Sequence, residues 1–126
     1  MTAGRIVAIV PAYNEAGAIG GVVDAICAAS DRYDVVVVDD GSRDDTATLA
    51  RSRGAAVVSL PYNIGIGGAV QTGFKYALEH GYETAVRLDG DGQHDPRELE
   101  KLLGPLERGE ADIVTGSRFV AGSGGR

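Results

Sequence analysis

The run Arg5-Ile6-Val7-Ala8-Ile9-Val10, halted by Pro11-Ala12-Tyr13-Asn14-Glu15, is near-continuously apolar and rich in β-branched residues. A strand with one wet face would alternate apolar and polar residues. This one does not, so it is expected to be buried on both faces, as in parallel sheets covered by helices. A helix follows: Ile19, Val22, Val23, Ile26 and Cys27 recur at the spacing of one buried helical face. On that pattern Cys27 belongs to the core.

The alternation continues outward from this unit. Asp34-Val35-Val36-Val37-Val38-Asp39 reads as a second buried strand ending in Asp39-Asp40-Gly41-Ser42, where Ser42 can cap a short helix carrying Ala47, Leu49 and Ala50. Ala56-Val57-Val58-Ser59-Leu60 is a third strand, closed by Pro61. The loop Asn63-Ile64-Gly65-Ile66-Gly67-Gly68 leads into a helix expected to turn Ala69, Val70, Phe74, Ala77 and Leu78 inward. Thr84 to Leu88 is a fourth strand; Leu99, Leu102, Leu103 and Leu106 mark a further helix; Ala111 to Gly116 is a last strand. Beyond Arg118 the Gly-rich tail, about Val120 to Arg126, is expected to be flexible. The whole, residues 1–126, reads as one α/β domain with a mainly parallel, Rossmann-like sheet and helices on both faces.

The totals exclude several function classes. With 12 basic against 18 acidic residues the formal charge is -6, which argues against nucleic acid and against a basic patch docking on anionic lipid. No run is long enough to span a bilayer and no signal peptide is seen, so a cytoplasmic location is expected. The single cysteine permits no intramolecular disulfide and suggests no zinc site.

The chemistry concentrates in Asp89-Gly90-Asp91-Gly92-Gln93-His94-Asp95-Pro96, where a strand gives way to a helix. Asp89 and Asp91 would share a strand face, while Gly90 lets a ligand approach the backbone. Two carboxylates that close need a cation between them, and oxygen ligands suit magnesium or manganese. Asp95 also reads as a helix cap, with Pro96 at the first helical position and Glu98 completing a capping box. A calcium loop fits less well, because His94 stands where its turn needs glycine.

Polar clusters fall at the same end of successive strands: Tyr13-Asn14-Glu15, Asp39-Asp40, Asn63, Asp89-Asp91 and Ser117-Arg118. Each alone could be a cap or a turn. Together they line the crevice beyond the carboxyl ends of a parallel sheet. No Gly-x-Gly-x-x-Gly follows the first strand, and Phe74 separates Gly73 from Lys75 in the nearest approach to a Walker loop. An acidic pocket holds phosphates through a bridging metal, which is the role inferred for Asp91.

Five segments then carry a resemblance: Pro11-Ala12-Tyr13-Asn14-Glu15, Asp39-Asp40-Gly41-Ser42, Asn63-x-Gly65-x-Gly67-Gly68-Ala69, Asp89 to Pro96, and Gly116-Ser117-Arg118-Phe119. In order and spacing they resemble family 2 glycosyltransferases, above all the dolichol- and polyprenyl-phosphate sugar transferases. The resemblance implies a GT-A fold and inverting transfer from a nucleotide sugar, GDP-mannose or UDP-glucose, to a polyprenyl phosphate. It implies a nucleotide site made by Pro11, Ala12, Tyr13, Asn14, Glu15, Asp39, Asp40, Gly41, Asn63, Gly65, Gly67, Gly68, Asp89 and Gly90. Asp89, Asp91 and Gln93 match the metal site, Mg2+ or Mn2+, and Asp91 and Arg118 are the catalytic candidates, Arg118 near the acceptor phosphate.

An ionised acceptor phosphate attacks without a general base, so catalysis reduces to positioning and charge neutralisation. The donor half is expected to be complete and the acceptor half missing. The chain should then bind nucleotide and metal but transfer sugar poorly, peripheral to the cytoplasmic membrane face, with an open edge that invites self-association. A sugar-nucleotidyltransferase would need a Gly-rich basic loop where Pro11 to Glu15 stand. A non-catalytic nucleotide- or metal-binding module stays open.

Overall fold

The computed structural model describes residues 5–29, 31–82, 84–88, 113–114 and 119–120. The opening apolar run forms β1 (Ile6–Ala12), buried along its entire length. It is followed by α1 (Ile19–Ala29), β2 (Tyr33–Asp39), α2 (Thr46–Ser52), β3 (Ala56–Ser59), α3 (Ile66–Glu79), β4 (Thr84–Arg87), β5 (Ile113–Val114) and β6 (Phe119–Val120). The sheet order is β3-β2-β1-β4-β5-β6; every pair is parallel except β5 with β6.

Period-two alternation in the central strands builds two cores. Ile6, Ala8, Val10, Val35 and Val37 point to one face, where Ile19, Val22, Val23 and Ile26 of α1 and Ala50 of α2 cover them. Val7, Ile9, Val36, Val38 and Ala85 point to the other, under Ala69 and Ala77 of α3. Neither strand can spare a polar face, which is why both read as unbroken valine and isoleucine. Helix α3 sits so close to β1 that a Cβ on Gly73 would fall 2.2 Å from Cγ2 of Ile9.

The chain winds outward from β1 to β3, then crosses back to place β4 on the other side of β1. The direction of winding therefore reverses between β1 and β4, and the crevice of such a sheet opens at that point. Pro11 helps to open it. The β1–β4 register puts Ile9 opposite Arg87, and Leu88 N–H donates to the Ile9 carbonyl at 2.9 Å. The next rung would need an N–H from Pro11, which has none, so that rung toward Leu88 is missing. On the β2 side the ladder continues, with Asp40 N–H donating to the Ala12 carbonyl at 2.9 Å.

The opposite end of the sheet is tied by side chains. The Arg5 guanidinium grips Asp34 with Nη2–Oδ1 at 2.7 Å and Nε–Oδ2 at 3.0 Å, and the Tyr82 hydroxyl donates to the same Oδ2 at 2.5 Å. Arg5 is the main reason that the Asp34 carboxyl lies below its ordinary 3.8. Burial and the neighbouring carboxylate push the Tyr82 hydroxyl up.

Several expectations are corrected. Cys27 is exposed, not in the core. Leu78, expected inward, is 79% exposed. Ser42 does not cap α2; the N-cap position is Asp45, which makes no side-chain capping bond. Phe119 and Val120 join the sheet as β6, where the sequence showed only the approach to a flexible tail. The helix expected around Leu99 to Leu106 and the cap at Asp95 lie outside the described residues.

Candidate functional site

The candidate site is built from loops that leave the carboxyl ends of β1, β2 and β3. These ends are level, because Ala12 pairs with Asp39 and Asp39 with Ser59. Asp39 and Asp40 close β2, and both are buried. Burying carboxylates is costly unless they are well bonded, and here backbone amides do the bonding. Asp39 Oδ1 accepts the Ser42 N–H at 3.0 Å, folding the chain into a tight turn. Gly41 occupies that turn at φ +79°, where a Cβ would strike the backbone of Tyr62 and Asn63 at 2.6 Å.

Asp40 reaches across to the loop between β3 and α3. Its Oδ1 accepts the Ile64 N–H at 2.8 Å and its Oδ2 the Gly65 N–H at 3.0 Å. Asn63 Nδ2 returns a bond to the Asp40 carbonyl at 3.2 Å. Asp40 is only 4% exposed, so its visible work is to hold residues 63–65 against β2. The start of α3 behind Gly65 has no side-chain cap.

The loop after β1 is held from the other direction. Asn14 adopts φ +52°, a left-handed conformation that Asn tolerates better than most residues. Its N–H donates to Ser42 Oγ at 2.8 Å, and its Oδ1 accepts the Arg43 N–H at 2.9 Å. Glu15 N–H donates to Thr46 Oγ1 at 2.9 Å, and Ala16 N–H to Asp44 Oδ2 at 3.1 Å. Asp44 Oδ1 accepts both the N–H and the hydroxyl of Thr46. That hydroxyl, followed by the amides of Thr46 and Ala16, draws the Asp44 carboxyl below its ordinary value. Tyr13 is left 45% exposed at the mouth.

The structure thus brings Ala12, Asn14, Glu15, Asp39, Asp40, Gly41, Asn63 and Gly65 into one hydrogen-bonded edge. Gly67 and Gly68 open α3 beside it, and Gly68 has Ile64 packed where a Cβ would sit. Asp89, Gly90, Asp91, Gln93 and Arg118 lie outside the described residues. Among the described residues no group of three or more His, Cys, Asp or Glu is placed to hold a metal ion. The segment that leads toward Asp89 is described as far as Leu88, whose N–H is bonded to β1 at the switch point. The sequence reading missed Asp44 and Thr46; the signal available was an Asp-x-Thr pair at the start of a helix.

The comparisons agree with this geometry. Residues 7–126 match the model of Glycosyl transferase family 2, and the chain belongs to that family. It is 38% identical over 123 residues to an undecaprenyl-phosphate mannosyltransferase of Micrococcus luteus, covering 94% of this chain and 50% of that protein. It is 37% identical to a polyprenol monophosphomannose synthase of Mycolicibacterium smegmatis, covering 94% of this chain and 46% of the relative. Among solved structures it resembles the glucosyl-3-phosphoglycerate synthase of Mycobacterium tuberculosis in complex with Mn2+, uridine-diphosphate-glucose and phosphoglyceric acid. The TM-score there is 0.66 at 34% identity, covering 86% of this chain and 42% of the other. The fold is the expected GT-A arrangement, and the chain spans about half the length of the curated relatives it matches.

Proposed function

We propose that this chain forms the donor-binding part of an inverting glycosyltransferase that moves a sugar from a nucleotide sugar, GDP-mannose or UDP-glucose, to a polyprenyl phosphate. The observation that carries the reading is the convergence of the loops after β1, β2 and β3 beside the β1–β4 switch point, tied together through Asp40, Ser42 and Asn14. In this reading Tyr13 offers its ring to the base, and residues 63–68 border the nucleoside. Asp89 and Asp91, with Gln93, are the oxygen donors that suit Mg2+ or Mn2+. A bound cation would neutralise charge on the leaving diphosphate. Arg118 pairs with the acceptor phosphate, which needs no general base because it is already ionised.

The acceptor is a lipid, and no helix among the described residues is long and apolar enough to cross a membrane. On the ground of that lipid acceptor we assign the chain a peripheral place at the cytoplasmic membrane face. Relatives named for undecaprenyl phosphate and polyprenol support this acceptor class.

The test is calorimetric titration with GDP and then UDP, with and without manganese, on the wild type and on Asp91→Ala. Metal-dependent binding of one nucleotide, lost in the variant, supports the reading and names the base. Metal-independent binding that survives in Asp91→Ala would leave a nucleotide-binding module without the transferase's diphosphate site.

A further inference from the structure

We propose that Asp44 and Thr46 are positioning residues of the nucleotide site: without touching the ligand, they hold the β1–α1 loop in the shape that a bound nucleoside diphosphate needs. This rests on the donor-site reading above. Thr46 is polar yet fully buried, and its hydroxyl has two fixed duties. It gives its proton to Asp44 Oδ1 and accepts the Glu15 N–H at 2.9 Å. Asp44 Oδ2 accepts the next amide, Ala16 N–H, at 3.1 Å.

Starting α2 does not require this arrangement. A helix start needs acceptors for its own first amides, and Asp44 Oδ1 already meets the Thr46 N–H at 3.0 Å. The remaining acceptors serve a different loop, 28 to 31 residues earlier in the chain. On its far side that loop is pinned to α1, because the Glu15 carbonyl accepts N–H bonds from Ala18 at 2.9 Å and Ile19 at 2.8 Å. Residues Tyr13 to Glu15 are therefore stretched between fixed points, with Asn14 held in its left-handed conformation. Removing the Thr46 hydroxyl takes this acceptor from the Glu15 amide and lets the loop sample other shapes. Apparent affinity then falls by the fraction of time spent in the competent one.

The experiment compares Thr46→Val, which keeps the shape and loses the hydroxyl, with Thr46→Ser, which keeps the hydroxyl. GDP and UDP are titrated in the presence of manganese, below the melting transition of every variant, and amide exchange is followed in the ligand-free proteins. Thr46→Val is expected to raise the Kd about tenfold and to speed exchange at Glu15 and Ala16, with Thr46→Ser restoring both. Asp44→Asn, which turns an NH2 group toward a backbone N–H, is the second variant and carries the same expectation. Asp34→Asn, at the opposite end of the sheet, should lower the melting temperature without moving the Kd. Wild-type affinity in Thr46→Val and Asp44→Asn, with nucleotide still bound by the wild type, overturns the positioning role and leaves the donor site standing. A wild type that binds neither nucleotide overturns the donor site and this assignment together.

Discussion

Gly73→Ala is expected to destabilise the fold even though alanine is the better helix former. A Cβ at this position falls 2.2 Å from Cγ2 of Ile9 and 3.3 Å from its Cβ and Cγ1. Ordinary carbon contacts lie at about 3.5–4.0 Å, so the overlap exceeds roughly 1 Å. Ile9 is fully buried in a central strand, and its β-branched side chain has few rotamers to retreat into. Either its χ1 leaves a staggered well, at about 0.5–1.5 kcal/mol, or α3 lifts and loosens Ala69 and Ala77. Overpacking of this kind costs about 1–3 kcal/mol, and better helix propensity returns about 1 kcal/mol. A contact as short as 2.2 Å puts the cost in the upper part of that range, about 2–3 kcal/mol, so the net loss is about 1–2 kcal/mol.

Gly21→Ala in α1 is the matched control. Nothing lies within 4 Å of its added Cβ, so it should gain about 0.5–1 kcal/mol. Urea unfolding of both variants should move the midpoint in opposite directions at a common slope. A Gly73→Ala midpoint at or above wild type would refute the close approach of α3 to β1.

Asp40→Asn should release the loop after β3, since one of its two acceptor oxygens becomes a donor facing a backbone N–H. A loss of roughly 2 kcal/mol is expected, read as faster amide exchange at Ile64 and Gly65; unchanged protection there would contradict it. Asp34 predicts a pH dependence. Its folded pKa is lowered, chiefly by Arg5, so its stabilisation is fully present above the unfolded value and is lost as pH falls through the folded one. Wild type and Asp34→Asn should therefore differ in urea midpoint near pH 6 and converge in acid. Solvent screening keeps the gap within about 1 kcal/mol, and a gap that persists unchanged below about pH 2 would refute the assignment.

The strands were legible because burial on both faces leaves no room for polar residues, and β1 and β2 show it residue by residue. The helices were legible as helices but less so as faces. Cys27 lies about 90° around α1 from the centre of Ile19, Val22, Val23 and Ile26, close enough to join the stripe on paper and far enough to meet water. In α3 the inward face expected from Ala69, Val70, Phe74, Ala77 and Leu78 holds for Ala69 and Ala77, with Phe74 packed partly buried against the same core, but the buried line also includes Gly73 and leaves Leu78 in water. Small residues mark the closest approach to the sheet, and hydrophobicity alone does not rank them above leucine. Ser42 was read as a cap because it precedes a helix; only the tertiary fold brings Asn14 to its hydroxyl. The same holds for Thr46, whose partner Glu15 sits in a loop that no local pattern connects to it.

The direction of the hydrogen bonds around Glu15 and Ala16 has a consequence for how such a domain can diversify. The acceptors are side chains of Asp44 and Thr46, while the donors are main-chain N–H groups. Every amino acid except proline supplies the same N–H. Exchanging the side chains at 15 and 16 to suit a different base or sugar thus leaves these two bonds in place, provided that Asp44 and Thr46 stay. Substrate range and scaffold geometry are written in different stretches of the chain, so mutation can explore the first while the second stands still.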